Sequence, residues 1–179
     1  MATPIQTFTP IHSWVASSNV GSVSFGSIDQ GYDHLVITGG FSRSINGDFG
    51  GRGAEFQWNG ITSGYKQLGG YVGQSSSTAQ LQYAASAAAS VAMPAGNYNY
   101  QGGRQAFELW ITDYKNTSWY KHIFGKYTNN DTAANNGGTI WIQSGLIPTT
   151  GALTSLYIYE QVDTFVTGDW VTIYGVKNA

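Results

Sequence analysis

The stretch "SVSFGSIDQGYDHLVITGG", residues 22–40, sets the pattern for the whole chain. Val23 and Phe25 point one way and Ser22 and Ser24 the other, because successive side chains of an extended strand alternate between its two faces. A polar turn follows, and Leu35 and Ile37 then repeat the alternation. The same period continues along the chain. "AEFQWNG" puts Phe56 and Trp58 on one side and closes on Asn59-Gly60, a strong signal for a two-residue hairpin turn. "QAFELWITDY" groups Phe107, Leu109 and Ile111, "SWYKHIFGKY" groups Tyr120, His122 and Phe124, and "GTIWIQS" pairs Ile140 with Ile142. "LTSLYIYEQ" and "DWVTIYGVK" finish in the same style. With the N-terminal segment and "YKQLGGYVGQ", roughly eight to ten short strands emerge between Gly, Asn, Asp and Ser turns. The sequence therefore predicts an all-β fold, a single-domain antiparallel β-sandwich with the jelly roll as its leading topology.

One stretch departs from the pattern. "STAQLQYAASAAASVAMPAG", residues 77–96, is rich in alanine. Propensity allows two or three helical turns within 77–92 before Met93-Pro94 stops them, and a long surface excursion is the other reading. At 179 residues the chain has the size of one domain with a substantial core. Residues 1–20 read as an extended docking arm or an edge strand, since Pro4 and Pro10 keep them out of a central strand, and residues 21–179 read as the sandwich.

Charged residues make up 10% of the chain, against roughly 25% in ordinary soluble domains, and the net charge is -2. Surfaces this neutral repel one another weakly, which suits a chain that lives within an assembly. The eight basic residues are scattered singly, so no stripe exists to follow a phosphate backbone and nucleic acid is not an expected partner. Without cysteine, neither a disulfide framework nor thiolate metal sites can form. "MATPIQTFTPIHSW" has neither a basic leader nor an apolar run, and nothing approaches the ~20 apolar residues that span a bilayer. The expectation is a protein made in a cytoplasm, without membrane contact, whose sequons at Asn116 and Asn130 stay unmodified.

Several strands carry aromatics on both faces: Trp110 lies opposite Phe107, Leu109 and Ile111, Trp141 opposite Ile140 and Ile142, and Trp119 opposite Tyr120. In a solitary sandwich the outer faces should be mostly polar. Such rings lie either under a loop or against another subunit, and Trp14, Trp110, Trp119 and Trp141 are the candidates for a protein interface.

His12, His34 and His122 show no metal-ligand spacing; Asp33-His34 reads as a hydrogen-bonded turn before it reads as a catalytic pair, and His122 as a half-buried ring. Glu55 and Glu108 lie within strands, as the two acids of a glycosidase would, but nothing in the spacing brings them together. No Gly-x-Ser-x-Gly elbow is present. "GDFGGRG", residues 47–53, lacks the Lys-Ser/Thr of a phosphate loop and reads as a turn capped by Asp48. "TNNDTAANNGG", residues 128–138, gathers oxygens around Asp131 without the spaced acids of a calcium loop. No catalytic residue, metal ligand or cofactor is expected.

The order "SVSFGSIDQGYDHLVITGG", "FQWNG" and "LTSLYIYEQVDTFVTGDWVTIYGVK" resembles a family of small β-rich virion structural proteins of tailed bacteriophages. Shared features are a first strand ending in Phe-x-x-Ile, a Tyr-Asp turn into Leu35–Thr38, a Phe-x-x-Asn-Gly hairpin at Phe56–Gly60 and a last strand closing on Tyr174–Val176. The resemblance covers about half the chain, leaves the centre from about Gly64 to Gly103 unmatched, and carries over no catalytic residue. It implies a non-enzymatic role in the virion. The leading reading is a capsid decoration or cement protein, a homotrimer that stabilises the shell by multivalent contacts with the major capsid protein or other virion proteins. The alternative is a tail-fibre or receptor-binding tip with lectin-like binding of a host surface glycan, for which Trp58, Tyr98, Tyr100 and Trp119 would supply the platform.

Overall fold

A computed structural model of the chain describes residues 7–42, 53–73, 80–92, 104–130, 139–161 and 164–178. These form twelve strands: β1 (Thr7–Val15), β2 (Ser22–Phe25), β3 (His34–Ser42), β4 (Ala54–Trp58), β5 (Tyr65–Gly73), β6 (Gln80–Ala88), β7 (Val91–Ala92), β8 (Arg104–Ile111), β9 (Lys121–Asn130), β10 (Thr139–Ile147), β11 (Leu156–Glu160) and β12 (Trp170–Lys177). An eight-stranded sheet runs β1-β12-β3-β8-β9-β10-β5-β6 and a four-stranded sheet runs β2-β11-β4-β7. Among the described residues the strand pairings are all antiparallel. The β-sandwich is as the alternation predicts. A jelly-roll winding is not evident, because β8, β9 and β10 run as a meander of sequence neighbours within one sheet.

The core lies where the two sheets face each other. Leu35, Ile37 and Phe41 of β3, Phe107, Leu109 and Ile111 of β8, and Val171 and Ile173 of β12 meet Phe25 of β2, Phe56 and Trp58 of β4, and Leu156 and Ile158 of β11. Phe56 crosses edge-on to Phe107 with centroids 5.7 Å apart, and Phe165 tilts onto Phe41 at 4.7 Å. Each such side chain taken out of water stabilises the fold by about 1.5–3 kcal/mol.

Asn59 and Gly60 both adopt positive φ (51° and 70°), and Ile61 N–H donates to Trp58 C=O at 2.9 Å, so the tight turn forms as the dipeptide predicts. The hairpin does not. β4 pairs with β11 and β7, whereas β5 crosses to the larger sheet between β10 and β6. The Trp58 N–H that a hairpin partner would have satisfied donates instead to the Tyr65 hydroxyl at 2.8 Å. Asn59 anchors the turn by donating to Ala152 C=O and accepting from the Thr154 and Ser155 amides.

Where it is described, the alanine-rich stretch is extended, not helical; residues 77–79 and 93–96 lie outside the described residues. Residues 80–88 form β6 on the edge of the larger sheet, with Ala84 opposite Leu68, and residues 91–92 form β7. Backbone pairing with β5 outweighs a helix propensity worth only tenths of a kcal/mol per residue. Within the expected N-terminal segment, residues 7–15 form the edge strand β1 against β12, with a register shift beside Pro10; residues 1–6 lie outside the described residues.

On β9 and β10 the alternation holds, but the facing is the reverse of what the apolar groupings suggest. Lys121, Ile123, Gly125 and Tyr127 point inward, as do Trp141, Gln143, Gly145 and Ile147. His122 and Phe124, with Ile140 and Ile142, face solvent. His122 is accordingly exposed, not half-buried.

Candidate interaction surface

Trp141 is only 4% exposed and stacks on Tyr127 inside the sandwich, with centroids 5.5 Å apart and planes 11° from parallel. It is therefore not an interface residue; the facing of β10 turns it into the core. Trp58 is fully buried beneath the Asn59-Gly60 turn, which removes it from any glycan platform. Tyr98 and Tyr100 lie outside the described residues, as do Asp48 and Asp131. Trp14 is partly buried against Phe165 at 5.6 Å. Trp110 faces outward from β8, meets Phe8 edge-on at 5.7 Å, and donates from Nε1 to Glu108 at 2.9 Å. Trp119 stands exposed just before β9.

The two halves of the larger sheet's outer face differ. Over β8, β3 and β12 it closes on itself: Val36 lies between Trp110 and Tyr174 in register and is 3% exposed although it points outward. Trp170 lies across Gly40, where a Cβ would come within 2.8 Å of the indole Nε1. Over β9, β10 and β5 no such cover exists among the described residues. There Val72 pairs with Ile140, Gly70 with Ile142, and Leu68 with Ser144, which faces Phe124 on its other side. Leu68, Val72, Phe124, Ile140 and Ile142, with Trp119 and Tyr120 just before β9, are each between 50% and 57% exposed. Next to them Lys66, Leu68, His122, Ser144 and Leu146 line a shallow groove of about 340 Å³. The sequence does carry a signal for this face, missed when the strands are read singly. Glycine at 125 and 145, alternating with bulky residues, marks the side that packs closely, since a Cβ at Gly145 would come within 2.7 Å of Ile123 and 3.2 Å of Lys66 C=O.

The loop that presents Trp119 and Tyr120 is held from within. Lys121 is 1% exposed, and its ammonium donates to the carbonyls of Asn116, Trp119 and Thr150, the last two at 3.0 Å. All three of its protons are thereby used. Burial lowers its pKa by disfavouring the charged form, against a pull upward from Asp113.

The carboxylates do not form a catalytic pair. Glu108 points outward from the larger sheet, where the Trp110 indole N–H, followed by Lys126 at 3.3 Å, holds its pKa down. Glu55 stands on β4 of the other sheet between the inward-facing Ala54 and Phe56, and accepts a hydrogen bond from the Ser90 hydroxyl. The two acids thus face away from each other on opposite sides of the sandwich. Asp33 and His34 tie down the chain's end. Asp33 accepts from Lys115 Nζ and from Asn178 N–H, both at 2.9 Å, which lowers its pKa. His34 accepts from the Asp113 amide at 3.1 Å and meets Asn178 Oδ1 at 3.0 Å. His12 packs against Phe25. Among the described residues no group of three or more His, Cys, Asp or Glu could hold a metal ion, and no helix is long and apolar enough to cross a membrane.

Comparison with protein-family models, with curated proteins and with solved structures found no match.

Proposed function

We propose that the chain is a structural subunit of a virion, of the capsid-decoration type, that works by docking on neighbouring protein and performs no chemistry. The observation that carries this reading is the uncovered apolar face of β9, β10 and β5, in a chain of which only 10% is charged. Contiguous apolar patches beyond a few hundred Å² are rare on monomers and mark interaction surfaces. The virion setting rests on the likeness carried by residues 22–40, Phe56–Gly60 and Tyr174–Val176. A decoration subunit must gain more from contact with the assembled shell than it loses in translational and rotational freedom. Linked copies meet that requirement with weak individual contacts, because the first to bind presents the others at high effective concentration.

The test is cosedimentation of the purified chain with emptied, expanded capsids, together with electron microscopy of the native particle. Saturable shell binding, with matching density on the particle, supports the decoration reading. Binding on a glycan array without shell binding would replace it with the receptor-tip reading, which among the described platform residues retains only Trp119 as an exposed ring.

A further inference from the structure

We propose that the outer face of β9, β10 and β5 is the contact between copies of this chain. The inference deepens the structural-subunit reading, on which its setting rests, by naming the first partner of the face as a second copy.

Area is the first argument. Leu68, Val72, Phe124, Ile140 and Ile142 on the strands, with Trp119 and Tyr120 in the loop that leads into β9, each about half exposed, offer roughly 600 Å² of apolar surface on one copy. A standard interface buries about 800 Å² per partner, of which close to 60% is apolar, so it requires about 500 Å² of such surface. The face and the loop that leads into β9 together therefore meet the apolar requirement of a stable homomeric contact.

Charge is the second. An acidic partner would need free cations, yet Lys126 is already neutralised by Glu108 at 3.3 Å, which leaves Lys66 beside the groove as the remaining formal charge on the face among the described residues. Two nearly neutral faces approach without repulsion, and a net charge of -2 over 179 residues adds little at long range. Relief is the third argument. Gly70 beside Ile142, and Ser144 between Leu68 and Phe124, leave hollows between apolar ridges. The inner faces of sandwiches interdigitate in this manner, with sheets about 10 Å apart.

Sedimentation equilibrium of the full chain in the absence of shells tests the proposal. The expected result is self-association with a Kd of roughly 1 µM or tighter, in the range of interfaces of this size. Ile142→Lys, which would place an unpaired ammonium in the contact beside Lys126, should weaken association at least tenfold. Val15→Lys, on the same sheet outside the face and 64% exposed, should leave it unchanged. The urea midpoint of each variant reports whether it folds.

Because the chain has no cysteine, a second measurement is independent of destabilisation. Ile142→Cys should be joined into a covalent dimer by a short bismaleimide, and Val15→Cys should not. A wild type that stays monomeric at roughly 100 µM, or Ile142→Cys and Val15→Cys chains that cross-link alike, would overturn the proposal. Shell binding by a monomeric wild type would overturn only the self-contact and leave the decoration reading standing; a self-associating chain that ignores shells would do the reverse.

Discussion

Replacing Lys121 with methionine measures how firmly the loop bearing Trp119 and Tyr120 is held. Methionine keeps much of the stem's volume and removes the donors, so the carbonyls of Asn116, Trp119 and Thr150 lose their partner together. A hydrogen bond to a charged group contributes about 1.5–3 kcal/mol, and a buried acceptor left alone costs about 1–3 kcal/mol. Two effects reduce the sum. The ammonium no longer has to be desolvated, which is the burden its lowered pKa records, and carbonyls in a loop recover some water. The balance is about 3 kcal/mol of destabilisation, at the low end for breaking a buried charged contact. In a chain of this size that corresponds to a melting temperature lower by about 6–12 °C. Urea unfolding with an unchanged m-value checks it. The pH dependence gives a second reading. Since burial sets the folded pKa below the ordinary 10.5, the unfolded chain holds the proton over the window between the two values. Stability attributable to this group therefore rises with pH through that window and is lost as pH falls below it. Lys121→Met should remove the alkaline rise. A variant that melts within about 2 °C of wild type would show that water satisfies the three carbonyls and that the cage holds nothing.

Gly125→Ala should destabilise by about 1–3 kcal/mol, because its Cβ would overlap Leu109 and stand 2.9 Å from Glu108 C=O; a urea midpoint equal to wild type would refute the close approach. The Asp33 carboxyl should titrate below 3.8 by NMR, and Asp33→Asn should speed hydrogen exchange at the Asn178 amide. The stability that Asp33 contributes is present above its unfolded pKa and is lost as pH falls through the lower folded value. At concentrations where the chain is monomeric, Trp119→Phe should remove the largest acrylamide-quenchable part of the tryptophan emission, and Trp58→Phe should leave quenching unchanged.

Period two in the sequence is enough to place β2, β3, β4 and β8, because one side of each carries the larger apolar side chains and that side is the buried one. It fails at β9 and β10, where both sides are apolar and facing depends on neighbours. Gly125 is inward because Leu109 of β8 occupies the space a side chain would take, and Gly145 because Ile123 and Val91 do. Neither contact is visible along a single strand. The Asn59-Gly60 turn is legible because its backbone preference is local. The partner of the strand that follows it is not, since it is decided by which sheet Tyr65 and Gln67 can enter. The same limit hides β6: alanine is neutral enough for pairing with β5 to decide its conformation. Of the four tryptophans singled out for an interface, Trp119 alone stands more than half exposed, and Leu68, Val72, Phe124, Ile140 and Ile142 carry the surface that sequence reading left unassigned.

Slipping β10 by one residue would carry Ile140 and Ile142 inward and put Trp141, Gln143 and Gly145 in water, an exchange that apolar burial alone does not forbid. The observed register is kept by specific fits: the Tyr127–Trp141 stack, the hydrogen bond from Gln143 to Gln67 at 3.1 Å, and the contact at Gly145 that only glycine permits. A lone subunit would thus leave its aliphatic side in water while burying an amide pair. The arrangement becomes ordinary once a second face covers the first. β10 would then be buried on both sides, and the amide pair would specify which of them meets the small sheet.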